Sequence, residues 1–92
     1  MAAKILIIDD DASVAQMLKA LLEIHGYEVS VALDGAQGLQ RARQDKPDLL
    51  LLDVMLPDLG GVEVCQMLKA DPKTQKAKVI MLTGLGSVAD VE

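Results

Sequence analysis

The chain has 92 residues, a formal net charge of −5, and a composition that is 51% hydrophobic and 25% charged. This length allows one domain with a modest core. The acidic balance, with no cluster of Lys and Arg along the sequence, argues against direct nucleic-acid binding and against an anionic membrane surface. No apolar run approaches the roughly 20 residues of a membrane span. No signal peptide is visible, and the single cysteine, Cys65, cannot form an internal disulfide, so we expect a cytoplasmic protein.

The first half of the sequence alternates strand and helix patterns. Residues 5–8 are a continuous apolar run, which is typical of a strand buried on both faces. A helix pattern follows and is expected to end at Gly26. Its apolar positions are Val14, Met17, Leu18, Leu21 and Leu22. Residues 27–33 alternate like a strand, and after an Asp34-Gly35 turn a weaker helix is predicted over residues 36–45.

The second half continues the alternation. Residues 49–52 form the most apolar strand pattern and run directly into Asp53. Residues 57–61, from Pro57 to Gly61, are expected to form a loop, and residues 62–70 a helix in which Cys65 is a small core residue.

A fourth buried strand is predicted over residues 79–82, ending at Thr83-Gly84, and residues 85–92 are expected to begin another helix. The order of the elements is therefore βαβαβαβ with short connections. Such alternation predicts an α/β fold, in which a parallel sheet carries helices on both faces.

Polar residues, most of them acidic, lie at the carboxyl ends of the predicted strands. Asp9 and Asp10 follow the first strand, Asp53 follows the third and Thr83 follows the fourth. In open parallel sheets this edge carries the functional crevice, so we expect these residues to converge. Neighbouring carboxylates repel one another, and a hard cation such as Mg²⁺ relieves that repulsion. One of the three consecutive aspartates, Asp9 to Asp11, is the expected helix N-cap.

Four sequence segments resemble the receiver domain of two-component response regulators. They are KILIIDDDAS, GYEVSVALDG, PDLLLLDVMLPDLGG and KVIMLTG, in the order and spacing of that family. The spacing of Asp53, Pro57 and Gly61 is specific when it is joined to the acidic pair. The resemblance covers residues 1–92 and implies a flavodoxin-like parallel sheet with strand order 2-1-3-4.

The resemblance also implies roles for individual residues. Asp53 corresponds to the phosphoacceptor, which receives a phosphoryl group from a sensor histidine kinase. Asp9 and Asp10, together with Asp53 and the backbone carbonyl of Met55, correspond to the Mg²⁺ ligands. Asp11 lies outside this acidic pair, so the resemblance makes it the expected helix N-cap. Thr83 corresponds to the switch hydroxyl.

The positions that tune dephosphorylation in this family are Met55 and Leu85 here. Both residues are apolar. Neither can orient an attacking water, so we expect slow self-dephosphorylation.

The sequence departs from the family at its C-terminal end. The family has five strand–helix units, and no lysine here can stand in for the one that ends the fifth strand. The lysines of the second half all precede or enter the fourth strand: Lys46, Lys69, Lys73, Lys76 and Lys78. We expect weaker phosphorylation, and an exposed fourth strand that favours pairing with another chain.

The same departure is expected to expose part of the first helix. Its stripe of Val14, Leu18 and Leu21 would lose a neighbour. A homodimer could cover these surfaces, or the remainder of a longer protein could do so.

Two other functions remain open from the residues. One is a receiver remnant that accepts no phosphoryl group and acts as an interaction module. The other is a phosphatase of the haloacid-dehalogenase type, with Asp9 as nucleophile and Asp11 as acid and base. A dinucleotide site is excluded, because the first strand–helix turn holds aspartates where a phosphate cradle needs glycines.

Overall fold

The computed structural model describes residues 2–54, 56–82 and, for the backbone alone, 88–91. Strands and helices alternate along most of this length. In chain order the elements are β1 (Lys4–Ile8), α1 (Ala12–Ile24), β2 (Glu28–Ala32), α2 (Gly35–Asp45), β3 (Leu49–Asp53), α3 (Gly61–Ala70), β4 (Lys78–Leu82) and β5 (Val88–Val91). None of these helices is long and apolar enough to cross a membrane.

The strands form one sheet in the order β2-β1-β3-β4-β5. The first four strands are parallel, which confirms the flavodoxin-like 2-1-3-4 arrangement predicted from the sequence. Ile8 lies beside Leu52, and Asp53 lies beside Leu82. This register brings the carboxyl ends of β1 and β3 to the same edge of the sheet.

The last strand differs from the expectation. Residues 88–91 do not form a helix; they form β5, which runs antiparallel to β4 with Leu82 beside Val88. Strand β4 is therefore not an edge strand, and the expectation that it stays unpaired is wrong. An open strand edge offers unpaired N–H and C=O groups, and here a later segment of the same chain satisfies them.

Helices cover the two faces of the sheet unequally. Helices α2 and α3 pack on one face, where alternate strand residues meet them. The larger core on this face contains Leu6, Ile8, Ala32, Leu39, Ala42, Leu50, Leu52, Val64, Cys65, Leu68, Ala77, Val79 and Met81. Cys65 is buried there as a free thiol, as expected. On the other face, Ile5 and Ile7 pack with α1 through Ala15.

Helix α1 also carries apolar residues that face solvent. Met17, Leu21 and Ile24 are 63%, 52% and 80% exposed. The predicted exposure of this helix therefore holds for Leu21, whereas Val14 and Leu18 are only partly exposed.

The ends of α1 and α2 follow from their capping residues. The carboxylate of Asp11 accepts hydrogen bonds from the N–H groups of Ser13 and Val14, which confirms its predicted capping role. Asp34 caps α2 in the same way, by accepting from the N–H of Gln37 at 2.7 Å, so the predicted turn is a helix start.

Candidate functional site

Three carboxylates meet at the carboxyl edge of the sheet. Asp9 and Asp10 follow β1, and Asp53 is the last residue of β3, the neighbouring strand. One oxygen atom from each residue lies within 4.8 Å of the others. The parallel register therefore assembles the acidic cluster that the strand ends predict.

Asp9 is the buried member of this cluster, with only 6% of its surface exposed. Burial raises the pKa of its carboxyl group above the usual range. The N–H of Asp11, which donates to Asp9 Oδ1 at 2.9 Å, opposes that rise. The nearby carboxylates of Asp53 and Asp10 strengthen it, so the ionised cluster is under electrostatic strain that a cation would relieve.

The chemistry of the donors fits a hard divalent cation. All three side chains offer carboxylate oxygens. Their exposure to solvent differs: Asp9 is buried, Asp53 is partly buried and Asp10 is exposed. A site with one solvated side suits Mg²⁺, which usually keeps several waters and binds through a few carboxylates.

Gly61 holds the segment after β3 close to the site. Its N–H donates to the carbonyl of Val54 at 2.8 Å. A Cβ atom at this position would lie 2.6 Å from the carbonyl oxygen of Asp53 and 2.7 Å from Cα of Val54. No side chain larger than hydrogen fits without moving the backbone of Asp53. Pro57, the other loop residue singled out from the sequence, is exposed in a bend.

Asp58 is a residue that sequence reasoning missed. Its carboxylate accepts hydrogen bonds from the N–H groups of Gly35 and Ala36 at 2.8 and 3.0 Å, and from that of Leu59 at 2.8 Å. These bonds lower the pKa of Asp58, the Gly35 bond most of all. They tie the segment after Asp53 to the first turn of α2, where a negative charge is favoured. A Pro-Asp pair in a turn is the sequence signal that could have suggested it.

Three residues named from the sequence lie outside the described part of the chain: Met55, Thr83 and Leu85. Of the residues named from the sequence, the structure brings together Asp9, Asp10 and Asp53.

A parallel 2-1-3-4 sheet with a carboxylate cluster at its carboxyl edge defines a flavodoxin-like α/β protein with a candidate cation site. Residues 5–92 match the response regulator receiver domain, and the chain belongs to this family. Receiver domains are the signalling modules of two-component systems, and they receive their signals from histidine kinases.

Curated relatives match nearly the whole chain. It is 46% identical over 87 residues to the DNA-binding dual master transcriptional regulator RpaA of Synechocystis, a match that covers 95% of this chain and 36% of that protein. It is 43% identical over 90 residues to the response regulator PleD of Caulobacter vibrioides, covering 98% of this chain and 20% of PleD. It therefore spans about a third or less of the length of these two relatives.

Solved receiver structures share the fold. A CheY-like receiver domain protein from Methanospirillum hungatei superimposes with a TM-score of 0.87 at 34% identity, covering 95% of this chain and 68% of that one. The chemotaxis response regulator CheY4 of Vibrio cholerae gives a TM-score of 0.84 at 31% identity, covering 88% of this chain and 68% of that one.

Proposed function

We propose that the chain is a phosphoacceptor and that Asp53 receives a phosphoryl group from a sensor histidine kinase. The observation that carries this proposal is the placement of Asp53 at the end of β3, with oxygen atoms of Asp9 and Asp10 within 4.8 Å. Family membership supports the class of donor.

The surroundings of each carboxylate favour Asp53 as the nucleophile. Asp9 is buried, and one of its oxygens already accepts from the N–H of Asp11. Asp11 is engaged as the cap of α1, which disfavours the acid–base role that a phosphatase would require. Asp53 is partly exposed, and its backbone is held by the close approach of Gly61.

The transfer step is a substitution at phosphorus. A carboxylate oxygen of Asp53 forms a bond to the phosphorus atom of phosphohistidine, and the P–N bond breaks. The bonding electrons stay on the imidazole nitrogen, which takes a proton from water, so the histidine leaves as neutral imidazole. The product on this chain is an acyl phosphate at Asp53.

Mg²⁺ is the proposed cofactor, held by Asp9, Asp10, Asp53 and the backbone carbonyl of Met55. When bound, it supplies positive charge that offsets the carboxylates and the phosphoryl oxygens. Thr83 is the proposed switch residue, whose hydroxyl donates to the phosphoryl group. Neither Met55 nor Leu85 has a polar side chain to orient water, so the acyl phosphate should persist for longer than seconds.

Intact mass spectrometry after incubation with acetyl phosphate and Mg²⁺ tests the proposal. We expect one added phosphoryl group on the native chain and none on Asp53→Asn, a nearly isosteric variant that lacks the nucleophile. Chelation of Mg²⁺ with EDTA should prevent the reaction. A folded native chain that gains no phosphoryl group would instead support the alternative of an assembly module.

The exposed apolar residues of α1 favour self-association of the chain. Self-association would be the function of an assembly module, and it could also accompany phosphorylation. Met17, Leu21 and Ile24 lie on one helix and are each more than half exposed. We propose that two copies of the chain associate through this helix. Sedimentation velocity should then show a concentration-dependent dimer that Leu21→Lys abolishes, and a monomer at high micromolar concentration would contradict it.

A further inference from the structure

A cavity opens at the amino-terminal ends of the parallel strands, opposite the carboxyl ends that carry the acidic cluster. It has a volume of about 270 Å³ and lies where the chain enters β3 and β4. Three exposed lysines line it: Lys46, Lys73 and Lys76. Its buried wall is formed by Pro47, Thr74 and Ala77. Each strand of five residues is about 16 Å long, so this cavity is separate from the carboxylate site.

The fold creates this concentration of positive charge. Lys46 follows α2 and the other two lysines follow α3, so the sequence shows no basic run. The fold nevertheless brings these three lysines together at one cavity. A third of the 9 basic residues line one cavity of a chain whose net charge is −5. Such an arrangement attracts anions locally against the overall repulsion.

Within the described part of the chain, the three lysine ammonium groups make no short ion pair, and their only resolved electrostatic effect is that Lys73 helps to lower the pKa of Asp71. Among the described residues, none of them forms an ion pair within 4.0 Å. The neighbouring acids are already engaged: Asp48 accepts from the N–H of Lys4 at 2.8 Å, and Asp71 accepts from Arg43 Nε at 2.7 Å. The lysine charges thus remain available to a ligand.

The backbone around the cavity is fixed before any ligand arrives. Lys46 adopts a left-handed conformation, with φ of 49°, and its N–H donates to the carbonyl of Ala42. On the other side, the N–H of Thr74 donates to Asp71, and the Thr74 hydroxyl donates to the carbonyl of Leu68 at 2.7 Å. The backbone of the site therefore loses little conformational entropy on binding, and the entropy cost falls on the lysine side chains.

Size and charge together indicate the class of ligand. Pockets for drug-sized molecules usually measure about 300–1,000 Å³, so this cavity suits a small group rather than a folded partner. Lysine binds phosphate as a point charge, and three lysines match a group with several negative charges. Asp48 also lines the cavity and repels any anion, but the three lysines leave the cavity net positive, and a net positive cavity attracts a highly charged phosphate more than a singly charged anion.

We propose that this lysine cavity binds a diphosphate group, either as a free inorganic anion or as part of a nucleotide. The proposal does not depend on phosphorylation of Asp53, because the two sites lie at opposite edges of the sheet.

Amide NMR titration of the full chain with inorganic pyrophosphate, without Mg²⁺ and at constant ionic strength, tests the proposal. We expect saturable shifts confined to the amides of Lys46, Asp48 and residues 73–77. Lys73→Gln and Lys76→Gln should each weaken binding about fivefold to tenfold, since each removes one charge next to the ligand. Lys76→Arg, which keeps the charge, should bind within about twofold of the native chain.

The matched control is Lys19→Gln, which removes one positive charge from α1, where Lys19 pairs with Glu23. It should leave pyrophosphate binding unchanged. Equal weakening by Lys19→Gln and Lys76→Gln, or shifts that spread over the chain without saturating, would overturn the proposal. Titration with adenosine diphosphate separates the two sources of the diphosphate group. Adenosine diphosphate that binds more tightly than pyrophosphate identifies a nucleotide site, whereas equal or weaker binding identifies a site for the inorganic anion. Adenosine, which has no phosphate, should not bind in either case.

Discussion

Replacing Gly61 with alanine should destabilise the fold through one identifiable contact. The added Cβ would lie 2.6 Å from the carbonyl oxygen of Asp53 and 2.7 Å from Cα of Val54, whereas ordinary contacts begin near 3.4 Å. Both partners are backbone atoms, so relief requires the segment after β3 to move by more than half an ångström. Gly61 does not have a positive φ, so backbone strain adds nothing to this effect.

The magnitude follows from two opposing contributions. Overpacking costs about 1–3 kcal/mol, and because both clashing partners are backbone atoms this case falls in the upper part of that range, at about 2–3 kcal/mol. Alanine in a helix is about 0.8–1 kcal/mol more favourable than glycine, which offsets part of that cost at this first helical position. The net loss in the free energy of unfolding should be about 1–2 kcal/mol, which lowers Tm by about 5–10 °C in a domain of this size.

Gly60→Ala provides the matched control. A Cβ at Gly60 would meet nothing closer than Glu63 Oε1, at 3.9 Å. Urea denaturation followed by circular dichroism should place Gly60→Ala within about 0.5 kcal/mol of the native chain. A Mg²⁺ titration should show weakened affinity for Gly61→Ala alone, because the backbone of Asp53 moves. Equal stabilities for the two variants would refute the close approach.

Three further predictions concern the side chains around the site. Asp58→Asn should lower Tm at neutral pH, and the difference from the native chain should shrink in acid, because a lowered pKa stabilises the fold above the unfolded pKa and that contribution is lost as the pH falls through the folded value. A Tm difference that is the same at neutral and at acid pH would contradict this. Asp9→Asn should raise Tm at neutral pH in EDTA. The pKa of Asp9 is raised on folding, so Asp9 contributes stability below its unfolded pKa and loses that contribution as the pH rises through the folded value. The variant has no carboxylate to ionise in this buried position. Mg²⁺ should then stabilise the native chain but not this variant, and a native chain of equal or higher Tm in EDTA would count against it. Gly38→Ala should lower the free energy of unfolding in urea by about 1–3 kcal/mol, since its Cβ would lie 2.5 Å from Cδ1 of buried Ile8. Adding Ile8→Val, which removes that Cδ1 atom, should restore part of the lost stability. A double variant less stable than Gly38→Ala would argue against the contact.

The acidic cluster could be predicted because it depends only on local patterns and one rule of topology. Buried apolar runs end at Asp9 and Asp53, and adjacent parallel strands end at the same edge. The capping role of Asp11 was equally local, because its carboxylate bonds to the next turn of the chain.

The features that sequence reasoning missed depend on contacts between distant segments. Strand β5 forms on the open edge of β4, and no local pattern specifies that pairing. Asp58 accepts from Gly35 and Ala36, which belong to a different helix. The lysine cavity likewise joins loops that follow two different helices. Such features become visible only when the order of the strands and the packing of the helices are known.

The central claim is that Asp53, among three neighbouring carboxylates, accepts the phosphoryl group. Reduction of the acetyl-phosphate-treated chain with borohydride converts an aspartyl phosphate to homoserine, and peptide mass spectrometry then locates the altered residue. The account predicts homoserine at position 53 and unchanged aspartates at positions 9 and 10. Homoserine at position 9, in a folded chain, would contradict it and would support the phosphatase-like use of Asp9.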